Sequence, residues 1–453
     1  MNKILTLLAL FFSLVAFSQE EDAGLLYKDH VYIDDLKSVK FYPSGYLVDL
    51  PVLYVRDPVP LVLSFDDVSG DDIKDYTYTV VHCDADWTPS RLAQMEYVDG
   101  FDEDRIENFE YSFKANSVYT HYWLNLPNEF MTFTKSGNYL LKVYEDEDEK
   151  RLAITRRFIV VDPQVEILAR STRPGRVSKI QTHHEIDFTV VHKDFDIRSP
   201  QQEISAVVLQ NNRWDNAIAG IKPLFSRLEE QSFDYQDKVV FPAGKEFRYL
   251  DLRGLRFKDP KLKEVTVDAN NRFYAQVIEE RKRGNAAHFE RFDINGNFII
   301  ENTDERGRIL IDAAPDGQIN FRRPQAGVDY EADILHHLES EYVDVLFTLY
   351  SPTEMFEEDL YIYGGLTDWE FKPEFKMVYN PAIFSYVGKV RLKQGYYDYI
   401  YAAVSKKTGE ADFEVTEGDW HETENQYTVL LYYRPFGSRF DQLIGITEIS
   451  SRN

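Results

Sequence analysis

The sequence predicts an all-β protein made of several β-sandwich domains. Aromatic residues are abundant, with 31 Phe, 30 Tyr and 5 Trp among 453 residues, and aromatic side chains suit pleated, half-buried surfaces. Short runs alternate between polar and apolar residues, as half-exposed strands do. The sequence also lacks any stretch of about a dozen residues with the 3.6-residue apolar period that is typical of a long helix. Together these patterns favour antiparallel sheets.

The first domain is predicted to span residues 19–163. The run Tyr76–His82 alternates polar and apolar residues, which indicates a half-exposed strand. The runs Tyr139–Tyr144 and Leu152–Val161 flank a short acidic turn and read as a hairpin. Asp162-Pro163 follows, and proline interrupts a strand ladder. We therefore place a boundary there.

The second domain is predicted over residues 164–339 and the third over residues 340–453. In the second, Glu185–His192 alternates well, Asn295-Gly296 is a turn signal, and Glu331–Leu338 favours a short helix. In the third, the run Tyr342–Tyr350 reads as a strand. The expected arrangement is three sandwiches in series.

The third segment contains a pattern that resembles early-set immunoglobulin-like modules related to glycogen-binding domains. A Gly-Gly pair precedes Trp369, and a strand beginning Gly395-Tyr-Tyr-Asp-Tyr follows. Exposed Trp and Tyr rings can stack on sugars, but in this fold they are also core residues. Trp369 is therefore a candidate glycan contact, with a core position as the alternative.

The N-terminus predicts export. Residues 1–18 have the layout of a signal peptide: a basic start at Lys3, an apolar run over 4–17, and a small residue at Ser18. The run is too short to span a bilayer, and no later stretch approaches the ~20 apolar residues of a membrane helix. No cysteine follows the run, so we expect no lipid anchor and a free protein in the periplasm.

The charge balance excludes several partners. The formal net charge is −26, which repels phosphate backbones and anionic lipid surfaces. We therefore expect no nucleic acid partner and no direct membrane insertion. Cys83 is the only cysteine, so an intramolecular disulfide is excluded, and a small buried residue is the expected role.

One cluster could carry chemistry, namely His82, Cys83, Asp84, Asp86 and Trp87. Two aspartates at i and i+2 share a strand face but do not make a metal site. We therefore interpret the aspartates as turn residues and Trp87 as a core anchor.

The other candidate motifs predict turns or no site. On a strand, the two histidines of the His183-His184 pair, or of the His336-His337 pair, would point to opposite faces, so neither pair could chelate a metal alone. Asp293-Ile-Asn-Gly296 is not followed by the pattern of a calcium loop, which has a glycine at its sixth position and a glutamate at its twelfth. A turn is therefore expected. The sequence has no nucleophile elbow, zinc motif or phosphate-binding loop. We predict a protein without catalytic, cofactor or metal sites.

A set of motifs lies in order along nearly the whole chain. The motifs are His82–Trp87, Glu96–Phe101, Leu126–Asn128, Ser136–Tyr139, Gln210–Asp215, Phe241–Arg248 and Leu392–Tyr399. This ordered set resembles the motifs of the type IX secretion system plug protein family of the Bacteroidetes. One departure is Lys245, where the family pattern has Asn.

The resemblance implies a periplasmic protein that closes the periplasmic mouth of the outer-membrane translocon barrel until cargo displaces it. It implies a protein partner, no enzymatic activity and a monomer when free. It assigns no contact residues, and it marks the His82–Trp87 cluster as a structural signature. Two alternatives stay open from the sequence: a glycan-binding accessory protein using Trp369, and a hydrolase with dispersed carboxylates.

Overall fold

The computed structural model describes residues 24–56, 58–70, 72–146, 150–284, 293–305, 311–313, 319–321 and 330–452. Strands make up 49% of the structure and helices 5%, which confirms the all-β class. The segment predicted as a signal peptide lies outside the described residues. Among the described residues, no helix is both long enough and apolar enough to cross a membrane.

The first twelve strands lie between residues 30 and 161. They are β1 (His30–Val31), β2 (Leu36–Pro43), β3 (Val52–Tyr54), β4 (Leu61–Asp67), β5 (Tyr76–Cys83), β6 (Val98–Gly100), β7 (Glu103–Arg105), β8 (Asn108–Tyr111), β9 (Thr120–Leu126), β10 (Met131–Phe133), β11 (Gly137–Asp146) and β12 (Lys150–Val161). A short 3₁₀ helix, Gln94–Glu96, precedes β6. β11 and β12 pair antiparallel, so the predicted hairpin is confirmed.

Ten of these strands form two sheets around one hydrophobic cluster, which we call the first core, and β6 and β10 pair in a separate two-stranded sheet. One sheet has the order β1-β12-β11-β5-β7, with β3 parallel to β12, and the other has the order β2-β4-β9-β8. Phe65, Tyr76 and Tyr122 meet in this core, with ring centroids 4.9–5.3 Å apart. The aromatic abundance of the sequence thus fills the space between the sheets.

The next strands begin after Pro163. They are β13 (Glu166–Thr172), β14 (His183–Val191), β15 (Ile204–Gln210), β16 (Arg213–Ile221), β17 (Phe225–Ser226), β18 (Glu230–Ser232) and β19 (Val240–Pro242), with one helical turn, α1 (Pro200–Glu203). β13, β14, β18 and β17 form one sheet, and β19 pairs with β14. β15 and β16 pair in a second sheet. The cluster between these sheets is the second core.

A long stretch of chain then builds a third core. Its elements are β20 (Arg248–Asp251), β21 (Leu262–Val267), β22 (Phe273–Val277), β23 (Glu280–Arg281), β24 (Phe298–Ile300), β25 (Ile311–Ala313), β26 (Ile319–Phe321), α2 (Tyr330–Leu338), β27 (Tyr342–Tyr350), β28 (Glu358–Tyr363), β29 (Lys376–Asn380), β30 (Ser385–Lys393), β31 (Gly395–Ser405) and β32 (Ala411–Asp412). β20, β31, β28, β29, β30, β27, β22 and β21 follow one another in a continuous sheet that encloses the third core. The predicted helix near 331–338 and the strand Tyr342–Tyr350 are confirmed.

The last two strands return to the second core. β33 (Gln426–Tyr433) pairs with β15, and β34 (Gln442–Ser450) pairs with β33. The second core therefore contains side chains from strands that are far apart in the sequence, such as Val208 of β15 and Val429 of β33.

Strands from the two sides of the predicted 339/340 boundary pair with one another. β20 and β22, from the predicted second domain, pair with β31 and β27 of the predicted third. β33, from the predicted third domain, pairs with β15 of the second. Alternation along a strand reports which face is buried but not which strand is its neighbour. The number and limits of the domains stay predictions.

Candidate functional site

The segment His82–Trp87 is a strand end followed by a tight turn. The Asp84 amide donates to the Thr88 carbonyl (2.8 Å), and the Trp87 amide, at a φ of 66°, donates to the Asp84 carbonyl (2.9 Å). Asp86 Oδ1 accepts hydrogen bonds from the Thr88 amide (3.0 Å) and hydroxyl (2.6 Å). These bonds lower the pKa of Asp86. Asp86 therefore closes a turn, as the sequence predicts.

Asp84 connects this turn to the loop between β33 and β34. Its carboxylate accepts hydrogen bonds from Arg434 Nη1 (2.9 Å) and from the Asp441 amide (3.0 Å). Asp441 in turn accepts the Ala85 amide (2.9 Å). Asp86 thus stabilises the turn, and Asp84 connects it to a distant part of the chain. Within the described chain, no group of three or more His, Cys, Asp or Glu side chains is arranged to hold a metal ion.

His82 and Cys83 are buried beneath the turn. The His82 ring packs edge-on against Tyr139 (4.9 Å) and Phe440 (5.4 Å), and its Nε2 lies 3.2 Å from the Ser136 carbonyl oxygen. Burial lowers the pKa of His82 to about 4 and raises that of the Cys83 thiol to about 12. Both groups are therefore neutral at pH 7, and Cys83 is a poor nucleophile.

Trp87 forms the aromatic part of the same contact. Its ring meets Trp214 of β16 edge-to-face at 4.8 Å. The guanidinium of Arg157, on β12, lies 5.3 Å from the Trp87 ring and 5.5 Å from the Trp214 ring. An arginine over indole rings is stabilising, the more so when water is excluded. Trp214 belongs to the Gln210–Asp215 motif, so two of the family motifs quoted above meet here.

Trp369 lies against side chains from β16 and β28. The Arg213 guanidinium lies 4.0 Å from its ring centroid, and Tyr363 contacts it edge-on at 5.5 Å. On another side Gly296 comes so close that a Cβ there would be 2.4 Å from Trp369 Cη2. The ring is half-buried among protein groups. This packing matches the core alternative more closely than a sugar-stacking platform, which needs an open ring face.

The remaining motifs also serve as packing elements. Asn295 and Gly296 have φ values of 54° and 82°, and the Asn297 amide donates to the Ile294 carbonyl at 3.2 Å. These values indicate a tight turn with both central residues in the left-handed region, which an Asn-Gly pair favours. Buried His184 contacts the Tyr427 hydroxyl (2.8 Å), while its neighbour His183 is half-buried.

A polar cluster that the sequence analysis did not predict lies between the first and third cores. Asp66 at the end of β4 is fully buried, and its carboxylate contacts Lys393 Nζ (2.5 Å), the Tyr342 hydroxyl (2.6 Å) and His121 Nδ1 (2.7 Å). We call Asp66, His121, Tyr342 and Lys393 the buried polar cluster. The His121 ring stacks on His337 of α2 at 4.6 Å. The cluster therefore joins β4 and β9 to α2, β27 and β30.

The electrostatics of this cluster favour an ion pair. Burial alone would raise the pKa of Asp66. Lys393 and His121 lower it by more in total, so the net shift is downward. Burial lowers the pKa of Lys393 and of His121, and Asp66 opposes both shifts. The pair Asp66–Lys393 thus remains charged only because each partner is present. The signal in the sequence was an aspartate pair ending the otherwise apolar run Leu61–Phe65.

Another buried network lies inside the third core. Arg248 Nε donates to Glu417 (2.9 Å), and Glu280 accepts hydrogen bonds from the hydroxyls of Tyr399 and Tyr401 (2.7 Å each). Fixed, satisfied carboxylates of this kind hold sheets together. These bonds within the third core and the contacts between the cores described above favour a stiff protein in which the three cores keep their relative positions.

Comparison with known proteins identifies a family match for one part of the chain and a solved structure similar to most of it. Residues 36–162 match the family described as type 9 secretion system plug protein, 1st domain. No curated protein matches the chain. The structure is similar to the crystal structure of a hypothetical protein from Parabacteroides merdae ATCC 43184, with a TM-score of 0.81 and 28% sequence identity, covering 94% of this chain and 100% of that one. The resemblance seen in the sequence is thereby confirmed: over residues 36–162 this chain is similar to the first domain of the type IX secretion plug family.

Proposed function

We propose that this chain is a plug of the type IX secretion system. In this role it binds the periplasmic mouth of the outer-membrane translocon barrel and blocks it until cargo displaces the plug. The observation that carries the proposal is the match of residues 36–162 to the first domain of the plug family. The ordered motifs that continue to Tyr399 support extending it to the whole chain.

The way the cores are joined suits a blocking role. A plug must keep its shape against the pore, which requires units that do not bend or open at their joints. Here the first core is fixed to the second through the Trp87–Arg157–Trp214 contact and to the third through the buried polar cluster. Opening the first joint would expose aromatic and apolar surface to water, and opening the second would break the ion pair and hydrogen bonds of Asp66, so both carry a cost.

We further propose that the protein acts without catalysis or cofactor and works in the periplasm as a monomer when free. The cysteine is buried and its thiol pKa is raised to about 12, and the buried acids described above are engaged in contacts between strands. The predicted signal peptide supports the location. The acidic surface supports a protein partner over lipid or nucleic acid.

The proposal is tested by deleting the gene in the native host and measuring uptake of a large antibiotic that an intact outer membrane excludes. We expect greater sensitivity in the deletion strain, restored by the wild-type gene. The translocon barrel should also co-purify with a tagged copy of this chain. Unchanged permeability together with no recovery of the barrel would overturn the proposal.

A further inference from the structure

Three exposed apolar side chains lie on neighbouring segments of the chain at the edge of the first core. Met95, Phe101 and Phe130 are 82%, 58% and 39% exposed, and we call them the aromatic patch. The rings of Phe101 and Phe130 are nearly parallel, with centroids 6.0 Å apart. Met95 is in the 3₁₀ helix whose Gln94 side chain donates to the carbonyl of Asp102, the residue after Phe101. Other exposed apolar side chains, such as Leu228 and Phe257, belong to other parts of the molecule.

The backbone beneath the patch is held firmly. The Phe101 amide donates to the Phe130 carbonyl at 2.8 Å. Gly100, at a φ of +124°, permits this approach, because a Cβ there would lie 2.0 Å from the same carbonyl oxygen. The Asn128 side chain accepts the amides of Phe130 (3.0 Å) and Met131 (2.9 Å). The two rings are therefore presented in a fixed position, which lowers the entropy that binding would cost.

Acidic side chains flank the two rings, whereas Glu96, the residue next to Met95, is already paired with Arg439. Asp99, Asp102 and Glu129 are exposed, and within the described part of the chain their carboxylates form no ion pair or hydrogen bond. A centre of aromatic and Met side chains with a polar rim is the usual composition of a protein-binding surface. Because the rim is acidic, the complementary surface is basic.

We propose that the aromatic patch is the surface through which this plug holds its translocon partner. The partner surface would be an apolar pocket or strip bordered by Lys or Arg. This inference rests on the function proposed above and adds the docking face to it. A second copy of the chain fits less well, because a two-fold contact would bring one acidic rim against the other.

The first test measures binding of the purified chain to the detergent-solubilised, purified translocon barrel from the same host. The double variant Met95→Ser/Phe101→Ser should raise the Kd by about tenfold or more, because central aromatic anchors dominate such interfaces. The matched control is Leu228→Ser/Phe257→Ser, which removes side chains of similar size and greater exposure from elsewhere. The control should bind like the wild type. Thermal unfolding establishes that both variants are folded.

The second test examines the acidic rim. Asp99→Asn/Asp102→Asn/Glu129→Gln should slow association with the barrel and weaken its dependence on salt, because rim charges act mainly on the association rate. The control Asp35→Asn/Asp194→Asn/Glu264→Gln removes the same charge from exposed positions elsewhere. The control should change the association rate less than the rim variant does.

The outcomes separate this inference from the proposed function. If the wild-type chain does not bind the barrel, the plug function itself fails. If the wild type binds and both double variants bind equally well, the plug function stands and the aromatic patch is refuted as its docking face. If sedimentation shows a wild-type dimer that the patch variant abolishes while barrel binding is unchanged, the patch joins two copies and the inference is overturned.

Discussion

The first core meets its two neighbours through junctions of opposite chemistry. Towards the second core the junction is an apolar cluster that includes Ile159, Leu209 and Leu430, bordered by the His82–Trp87 turn. Towards the third core it contains the buried polar cluster, in which Asp66 and Lys393 form an ion pair away from water. The first junction gains stability from apolar area removed from water, which does not depend strongly on direction. The second requires four particular side chains in one geometry.

The difference indicates which junction fixes the relative position of the cores. Apolar contacts tolerate small shifts and conservative substitutions. A buried ion pair tolerates neither, because a small displacement leaves charge unpaired in a medium of low dielectric constant. We therefore expect the junction with the third core to be the more sensitive to mutation and to set the angle between the cores.

The largest effect is expected from Lys393→Met. The substitution leaves Asp66 buried without its cationic partner, which should lower the free energy of unfolding by about 3–5 kcal/mol. The matched control is Lys389→Met on the same strand, where the side chain is 57% exposed and pairs with Asp344. It should cost less than about 1 kcal/mol. Chemical denaturation of both variants checks the difference, and equal effects would contradict the proposed role of the polar junction.

A smaller effect is expected from pH at the other junction. The folded protein holds the pKa of His82 near 4, against an ordinary value of 6.5. Below pH 6.5 the unfolded chain therefore binds a proton that the folded chain does not, and stability falls as the pH decreases towards 4. Between pH 7 and pH 5 His82 should account for a loss of about 2 kcal/mol.

His82→Gln tests this, since glutamine can still donate to the Ser136 carbonyl but does not titrate. The fall in the free energy of unfolding from pH 7 to pH 5 should shrink by that amount. The control is His183→Gln, at a half-buried histidine whose pKa burial also lowers and whose ring stays in partial contact with solvent. His183→Gln should reduce the loss of unfolding free energy between pH 7 and pH 5 much less than His82→Gln does. An unchanged pH dependence in His82→Gln would refute the assignment of a neutral, buried imidazole.

The smallest effect is expected at the border of the apolar junction. Arg434→Ala removes the partner of Asp84, but the arginine side chain is 37% exposed. Solvent screens such a pair, so the cost should be about 1 kcal/mol or less. Denaturation under the conditions used for Lys393→Met checks the ranking. A loss as large as that of Lys393→Met would mean that the two junctions do not differ as described.

The local structure was predictable from the sequence because local patterns determine it. The alternation of Tyr342–Tyr350 predicts a strand with the bounds observed, and the Asn295-Gly296 pair predicts the observed turn. The His82–Trp87 motif predicts a turn, and Asp86 closes it. In these cases the physical cause lies within a few residues of the signal. Asp84 was also expected to bond a turn amide, but it bonds Arg434 and the Asp441 amide of a distant loop instead.

The pairing of distant strands and the buried polar cluster were not predictable in this way. Nothing near β33 in the sequence indicates that its neighbour is β15. Likewise Asp66, His121 and Lys393 each look like ordinary polar residues in or beside strands, and only the fold brings their charges together. The aspartate pair after the largely apolar run Leu61–Phe65 was a usable signal, but the partner of Asp66 could not be named without the topology.

The return of the last two strands to the second core has a consequence for how the protein is made. Val208 cannot acquire its neighbour Val429 until almost the entire polypeptide has been synthesised. The first core, by contrast, closes from consecutive strands and is complete once Val161 has emerged. Because contacts between distant residues form slowly, maturation should proceed in two stages. A chain truncated before Gln426 would therefore stall with a finished N-terminal body and an open sheet edge beside it, exposed to proteases and to other chains.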